Sequence, residues 1–121
     1  MIVMRKRVLL IANEYTTIVN FRMELVRALV GDGHTVAVAL PWHERVAEIE
    51  ALGCEIYSLP LDRKSKNPIK DLVIVKKISK ILKSFKPDIS FTFTIKPNVY
   101  GGMACALNGV PYISTITGLG S

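Results

Sequence analysis

Little in this 121-residue sequence reads as a cofactor fingerprint. No G-x-G-x-x-G follows the first apolar run, which counts against a dinucleotide reader. The two cysteines, Cys54 and Cys105, stand far apart in apolar segments and form no metal-type pair, so buried free thiols are expected and no metal site is assigned. No apolar run approaches the ~18 residues that span a membrane. The opening MIVMRKRVLLIAN carries its charges in the wrong place for a secretory signal and runs straight into a strand pattern, so a cytoplasmic location is expected. Repeats, low-complexity tracts and flexible linkers are also missing. Acidic residues are scarce in one region: between Arg63 and Lys86 there are nine basic residues and a single acid, Asp71.

What is present is the composition of a globular domain, with 50% hydrophobic and 21% charged residues. The net charge of +6 suits phosphates, nucleic acid or an anionic membrane face; equally, it can be a solvated helix face. Strand-like and helix-like pieces alternate. RVLLIAN (7–13) reads as a strand covered on both faces, followed by the loop EYTTIV. Asn20 is placed to cap a helix with Phe21, Leu25, Leu29 and Val30 on one face, stopped by the GDG at 31–33. HTVAVAL (34–40) is the second strand, 43–53 a short helix ending at Gly53, and CEIYSLP (54–60) the third strand.

After a polar loop, Asn67 and Pro68 open a helix to about Phe85. Its expected buried stripe is Leu72, Val75, Ile78, Ile81, Leu82 and Phe85, with Lys76, Lys77, Lys80 and Lys83 on the other side. DISFTFT (88–94) is a fourth strand, Pro97 to Asn108 a short helix ended by Gly109, and PYISTIT (111–117) a fifth strand. Strands separated by helices require right-handed βαβ crossovers, and the expected fold is α/β: a Rossmann-like, doubly wound parallel sheet flanked by helices.

Such sheets bind ligands beyond the carboxyl ends of their strands. Lys96 and Asn98 lie just past strand four, at that edge. Pro97 pre-sets a helical turn whose N–H groups carry the positive end of a dipole, and Gly101 and Gly102 permit a close approach to the sheet or to a ligand. The plainer alternative for this stretch is a capped turn with close packing. Arg22, near the strand-one loop, either reaches a phosphate or pairs with Glu24 or solvent. His34 reads as a surface turn residue. His43, beside Trp42, suits the start of a helix better than a ligand contact, and Tyr100 suits packing. Glu14 is the one acid in a loop at the binding edge, and no Asp/Glu pair has a catalytic setting, so no catalytic residue is assigned.

VLLIAN, NFRMELVRALVGDGHTVAVALP, KPDI, KPNVYGG and TGLGS together resemble the N-terminal half of a family 4 glycosyltransferase of the GT-B fold, nearest to bacterial enzymes that build polysaccharides or lipid-linked oligosaccharides. The resemblance covers nearly the whole chain. It implies that residues 1–121 are the acceptor-side domain of a retaining enzyme, used usually without a metal or cofactor, and that a C-terminal domain binds the nucleotide-sugar donor, a UDP-linked one. TGLGS ends the sequence directly after strand five, so the chain is expected to be a fragment or one half of a two-part assembly. Many family members carry a glycine pair after strand one. Here the loop reads NEYTTIVN, without glycine, and Thr16 and Thr17 offer hydroxyls instead. Thr117, before Gly118, stands where histidine is frequent; threonine is no base at neutral pH, though it can hydrogen-bond a sugar hydroxyl.

The acceptor-side cleft is thus expected to hold Asn13, Glu14, Thr16, Thr17, Arg22, Lys96, Asn98, Thr117 and Gly118. The basic cluster Arg63, Lys64 and Lys66, with Lys76, Lys77, Lys80 and Lys83, is expected to dock the enzyme electrostatically on the inner face of the plasma membrane, beside a lipid-linked or saccharide acceptor. With no aromatic platform among these lysines, nucleic acid is not an expected partner. The alternative is a self-contained Rossmann-like module that binds a nucleotide or an anionic partner.

Overall fold

The computed structural model of the protein describes residues 5–61 and 68–115, without the side chains of Phe21 and Pro68. Five strands form one sheet: β1 (Arg7–Ile11), β2 (Thr35–Leu40), β3 (Glu55–Ser58), β4 (Ile89–Phe93) and β5 (Tyr112–Thr115). Their order is β3-β2-β1-β4-β5 and every pairing is parallel. This is the Rossmann-like, doubly wound arrangement that the alternating pattern predicts.

Both faces of the central strands are covered, which explains their unbroken apolar runs. Val8, Leu10, Val36, Val38 and Leu40 pack against Ile18, Val26, Val46 and Ile49 on one side. These last four belong to α1 (Tyr15–Phe21), α2 (Met23–Gly31) and α3 (Val46–Glu50). On the other side Leu9, Ile11, Ala37 and Ala39 meet α4 (Pro68–Phe85) and α5 (Gly102–Leu107), through Ile78, Leu82, Phe85, Ala104 and Cys105. The two thiols, Cys54 and Cys105, are free and buried as expected. Gly53 (φ 102°) and Gly109 (φ 67°) sit in the left-handed region, the conformation that ends helices and that glycine adopts without steric cost.

Two expectations need correction. The strand-one loop is not a loop: Tyr15–Phe21 is helical, and Asn20 lies inside that helix rather than capping the next one. Burial of Thr17 and Ile18 overrides the weak helix propensity of the TTIV run. Arg22, at φ −128° and ψ 8°, breaks the path and starts α2. Second, Leu72 is not in the buried stripe of α4. It is 67% exposed, as are Ile69 (71%) and Val73 (43%), and Ile74 is buried in its place. At 3.6 residues per turn, Leu72 lies about 120° round the helix from the centre of the stripe. The helix after β4 stands where it is expected, and it opens with a wide π-helical turn, Pro97–Gly101, before α5. Such turns recur at functional sites.

Candidate functional site

The strand order reverses between β1 and β4, because the chain runs outward from β1 to β3 and then crosses back to the far side of β1. A crevice forms beyond the carboxyl ends of strands at such a point. Two segments border it here: residues 12–22 after β1 and residues 94–98 after β4.

On the β1 side, Glu14 is the N-cap of α1, in extended backbone (φ −164°), with no side-chain cap bond. Thr17 is buried, and its hydroxyl donates to Asn13 Oδ1 at 3.1 Å. That bond across one turn holds Asn13 to the start of α1, and it occupies one of the two hydroxyls expected in the cleft. Thr16, Asn13 and Glu14 are half-buried. Arg22, at the α1–α2 break, places its guanidinium carbon 5.2 Å from the centre of the Phe93 ring. Phe93 is the last residue of β4, so this cation–π contact carries a positive charge from the β1 segment to the end of β4.

On the β4 side, Asn98 is a latch. Thr92 Oγ1 donates to Asn98 Oδ1 at 2.7 Å, and Asn98 Nδ2 donates to the Thr115 carbonyl at 3.2 Å. Ser114 Oγ lies 3.2 Å from Thr92 Oγ1, within hydrogen-bond distance. One amide therefore ties the π-helical turn to the ends of β4 and β5. Gly101 makes the fit possible: a Cβ there would lie 2.8 Å from Thr92 Cγ2 and 3.3 Å from Ile11 Cδ1. Gly101 thus approaches the sheet, and Gly102 lies against Tyr112, whose ring would come within 3.0 Å of a Cβ at that position. Lys96 is half-buried, immediately before Pro97.

Thr94 sits between strand and turn, and its backbone has φ 71°. A β-branched residue in the left-handed region is a true outlier, costing of order 1–3 kcal/mol. Its carbonyl accepts from the Asn98 N–H at 2.9 Å, which begins the helical turn. Its hydroxyl oxygen is buried and has no hydrogen-bond partner. Sequence reasoning missed Thr94, placing it merely as the end of strand four. The available signal was the polar beat of Thr92, Thr94 and Ser114 in an otherwise apolar parallel sheet.

Other candidates have structural roles. His43 stacks on Tyr15 (centroids 3.9 Å apart) and its Nδ1 accepts the Arg45 N–H at 3.1 Å, a helix-start role. His34 Nδ1 accepts the Lys6 N–H at 3.0 Å beside its turn. Tyr100 packs against the α4 side of the core, and its hydrogen bond to Asp71, together with burial, raises its pKa above the usual phenol value. A depression of about 500 Å³ between α4 and α5, lined by Lys83, Lys86 and Asn108, lies at the opposite end of the sheet from the crevice. Thr117 and Gly118 fall outside the described residues, as do Arg63, Lys64 and Lys66. Lys76, Lys77, Lys80 and Lys83 are exposed along α4. Among the described residues, no group of three or more His, Cys, Asp and Glu could hold a metal ion, and no helix is long and apolar enough to cross a membrane.

The profile of a family described as "Glycosyl transferase 4-like" matches residues 7–121. The chain belongs to that family. One curated relative of this glycosyl transferase 4-like chain is the N,N'-diacetylbacillosaminyl-diphospho-undecaprenol alpha-1,3-N-acetylgalactosaminyltransferase of Campylobacter jejuni, 29% identical over 106 residues. The match covers 87% of this chain and 28% of that protein, so the chain spans little more than a quarter of the relative's length. A glycosyltransferase from Rickettsia africae superposes with a TM-score of 0.76 at 20% identity, over 91% of this chain and 29% of that one. MurG of Acinetobacter baumannii gives 0.74 at 21% identity, over 92% and 34%. These two likenesses show the fold, the N-terminal Rossmann-like unit of GT-B enzymes.

Proposed function

We propose that this chain is the acceptor-side domain of a retaining glycosyltransferase. In this reading a C-terminal domain holds a nucleotide-sugar donor, UDP-linked, and the sugar passes to a saccharide on a lipid diphosphate. Family membership supports the reaction class. The curated relative is named for transfer to a diphospho-undecaprenol-linked sugar, which supports the acceptor class.

The observation that carries the reading is the set of residues at the switch point. Arg22, held over Phe93, and Lys96, just after β4, bring two cations to the edge where parallel sheets bind their ligands. Cations there neutralise diphosphate charge; guanidinium and ammonium bonds to such oxygens are about twice as strong as neutral ones. Asn98 serves this site indirectly, by locking the turn that follows Lys96.

The outward face of α4 supports a second element, peripheral attachment at the inner face of the plasma membrane. Lys76, Lys80 and Lys83 share that face with Ile69, Leu72 and Val73, whose side chains are not committed to the core. Attachment is then partly apolar and not purely electrostatic, since lipid-exposed apolar area adds to the attraction of anionic headgroups.

The test uses the full-length enzyme containing this domain. UDP-N-acetylgalactosamine and a panel of other UDP-sugars are offered with N,N'-diacetylbacillosaminyl-diphospho-undecaprenol and with related lipid-linked saccharides. Sugar transfer with retention at the anomeric carbon is expected. No transfer from any donor, or an inverted product, would overturn the assignment. A stand-alone binding module predicts instead that the 121-residue chain alone binds UDP at micromolar concentration in calorimetry.

A further inference from the structure

Thr94 combines two local penalties at the mouth of the crevice. Its φ of 71° is one that glycine reaches freely and a β-branched residue does not. Its hydroxyl is buried without a partner. The neighbouring polar groups do not share this condition: Thr92, Asn98 and Ser114 are joined to one another or to the Thr115 carbonyl. A corner needed only to turn the chain from β4 into the π-helical turn is built without either penalty by glycine, and with one of them removed by valine. A threonine at this corner therefore points to a use for its hydroxyl that the free protein does not display.

From this we infer that Thr94 is a ligand-binding residue of the crevice, whose hydroxyl gains its missing hydrogen bond from a hydroxyl group of the bound saccharide. Thr94 as a residue is only half-buried, and it directly follows the carboxyl end of β4, the edge at which a ligand of the sheet would lie. The strained corner fixes where that hydroxyl lies, four residues before Asn98, whose latch anchors the turn. A saccharide suits the site because a threonine hydroxyl both donates and accepts, and so does each sugar hydroxyl. The sugar belongs either to the acceptor or to the donor. The inference rests on the transferase reading above, and the experiment separates the failure of one from the failure of the other.

Three variants are compared: Thr94→Val, Thr94→Ser and Thr94→Gly. In the 121-residue chain, urea denaturation should show Thr94→Val and Thr94→Gly at least as stable as wild type, since each removes a penalty. A clear loss of stability in Thr94→Val would mean that the hydroxyl is already bonded in the free protein, and would overturn the inference. In the full-length enzyme, assayed with the donor and acceptor panel above, Thr94→Val should lower kcat/KM at least about tenfold, while Thr94→Ser stays within about threefold of wild type. A rise confined to the KM of the lipid-linked acceptor assigns the bond to the acceptor sugar; a rise confined to the UDP-sugar assigns it to the donor. Wild-type kinetics in Thr94→Val overturn the role of Thr94 and leave the transferase reading intact. Absence of turnover in the wild-type enzyme overturns the transferase reading, and with it the saccharide as ligand.

Discussion

Replacing Gly101 by alanine should destabilise the domain, against the usual effect of that substitution in a helix. The added Cβ would sit 2.8 Å from Thr92 Cγ2 and 3.3 Å from Ile11 Cδ1, against an optimal carbon–carbon separation of ~3.5–4.0 Å. Neither neighbour is the free end of a flexible chain. Thr92 and Ile11 are fully buried in adjacent strands of the sheet. Overpacking of this kind costs typically ~1–3 kcal/mol. Better helix propensity returns about 1 kcal/mol. If Thr92 rotates to make room, its 2.7 Å bond to Asn98 breaks, and an unpartnered buried group adds about 1–3 kcal/mol. A net loss of about 2 kcal/mol is expected. For a chain of this length that lowers Tm by about 8 °C. Urea denaturation with an unchanged slope is the assay. Gly31→Ala is the internal control: a Cβ there meets nothing within 4 Å and its φ is not positive, so the same substitution should stabilise by about 0.4–1 kcal/mol. Equal stability of the Gly101→Ala variant and wild type would refute the close packing on which the geometry of the turn depends.

Lys96→Ala in the full enzyme should lower kcat/KM at least about tenfold, roughly 1.4 kcal/mol; wild-type kinetics would leave the segment as a structural turn only. Burial pushes the Cys54 thiol up to about 11 from an ordinary 9.0. The unfolded chain then loses that proton first, so the stability it supports is complete below pH 9 and is lost as pH rises through 11. Alkylation of Cys54 and Cys105 at pH 8 should accordingly require unfolding, and rapid labelling of the folded chain, read by mass spectrometry, would contradict their burial. Co-sedimentation of the full enzyme with anionic vesicles should fall as salt rises but not vanish, and Leu72→Asp with Ile69→Asp should remove the salt-resistant part. Binding abolished by salt alone would return these two residues to ordinary surface positions.

The strands were legible because their signal is strong and local. A parallel sheet covered on both faces demands unbroken apolar runs, and the five runs in this sequence mark the five observed strands to within one or two residues where both ends are described. Gly53 and Gly109 were legible for a similar reason: each stands where an apolar period ends, and each adopts the left-handed backbone of a helix stop. Helix α1 was not legible. YTTIVNF has β-branched residues in four of seven positions, and only the burial of Ile18 and Thr17 against the sheet decides its conformation. Leu72 misled for the opposite reason. Its apolar character matched the period of α4, but a stripe of i, i+3 and i+4 positions admits neighbouring registers, and the sheet selected the one centred on Val75, Ile78 and Leu82.

The places of Lys96 and Asn98 in the fold were legible, and what their side chains do was not. Lys96 and Asn98 were placed at the binding edge because the end of a β-run followed by proline fixes where strand four stops. That Asn98 spends both ends of its amide on Thr92 and Thr115 depends on β5 lying beside β4, a long-range fact. Arg22 shows the same limit: the break that aims it at Phe93 exists only because α1 forms. Thr94 is the extreme case. Its residue type argues for a strand, and its backbone is left-handed because the chain must leave β4 and enter a helical turn within one residue, with Pro97 and the Gly101 contact fixing where that turn can lie. Local preference and global fold conflict at that residue, and conflicts of this kind gather at functional or strained sites, which is why the Thr94 variants are the informative ones to make.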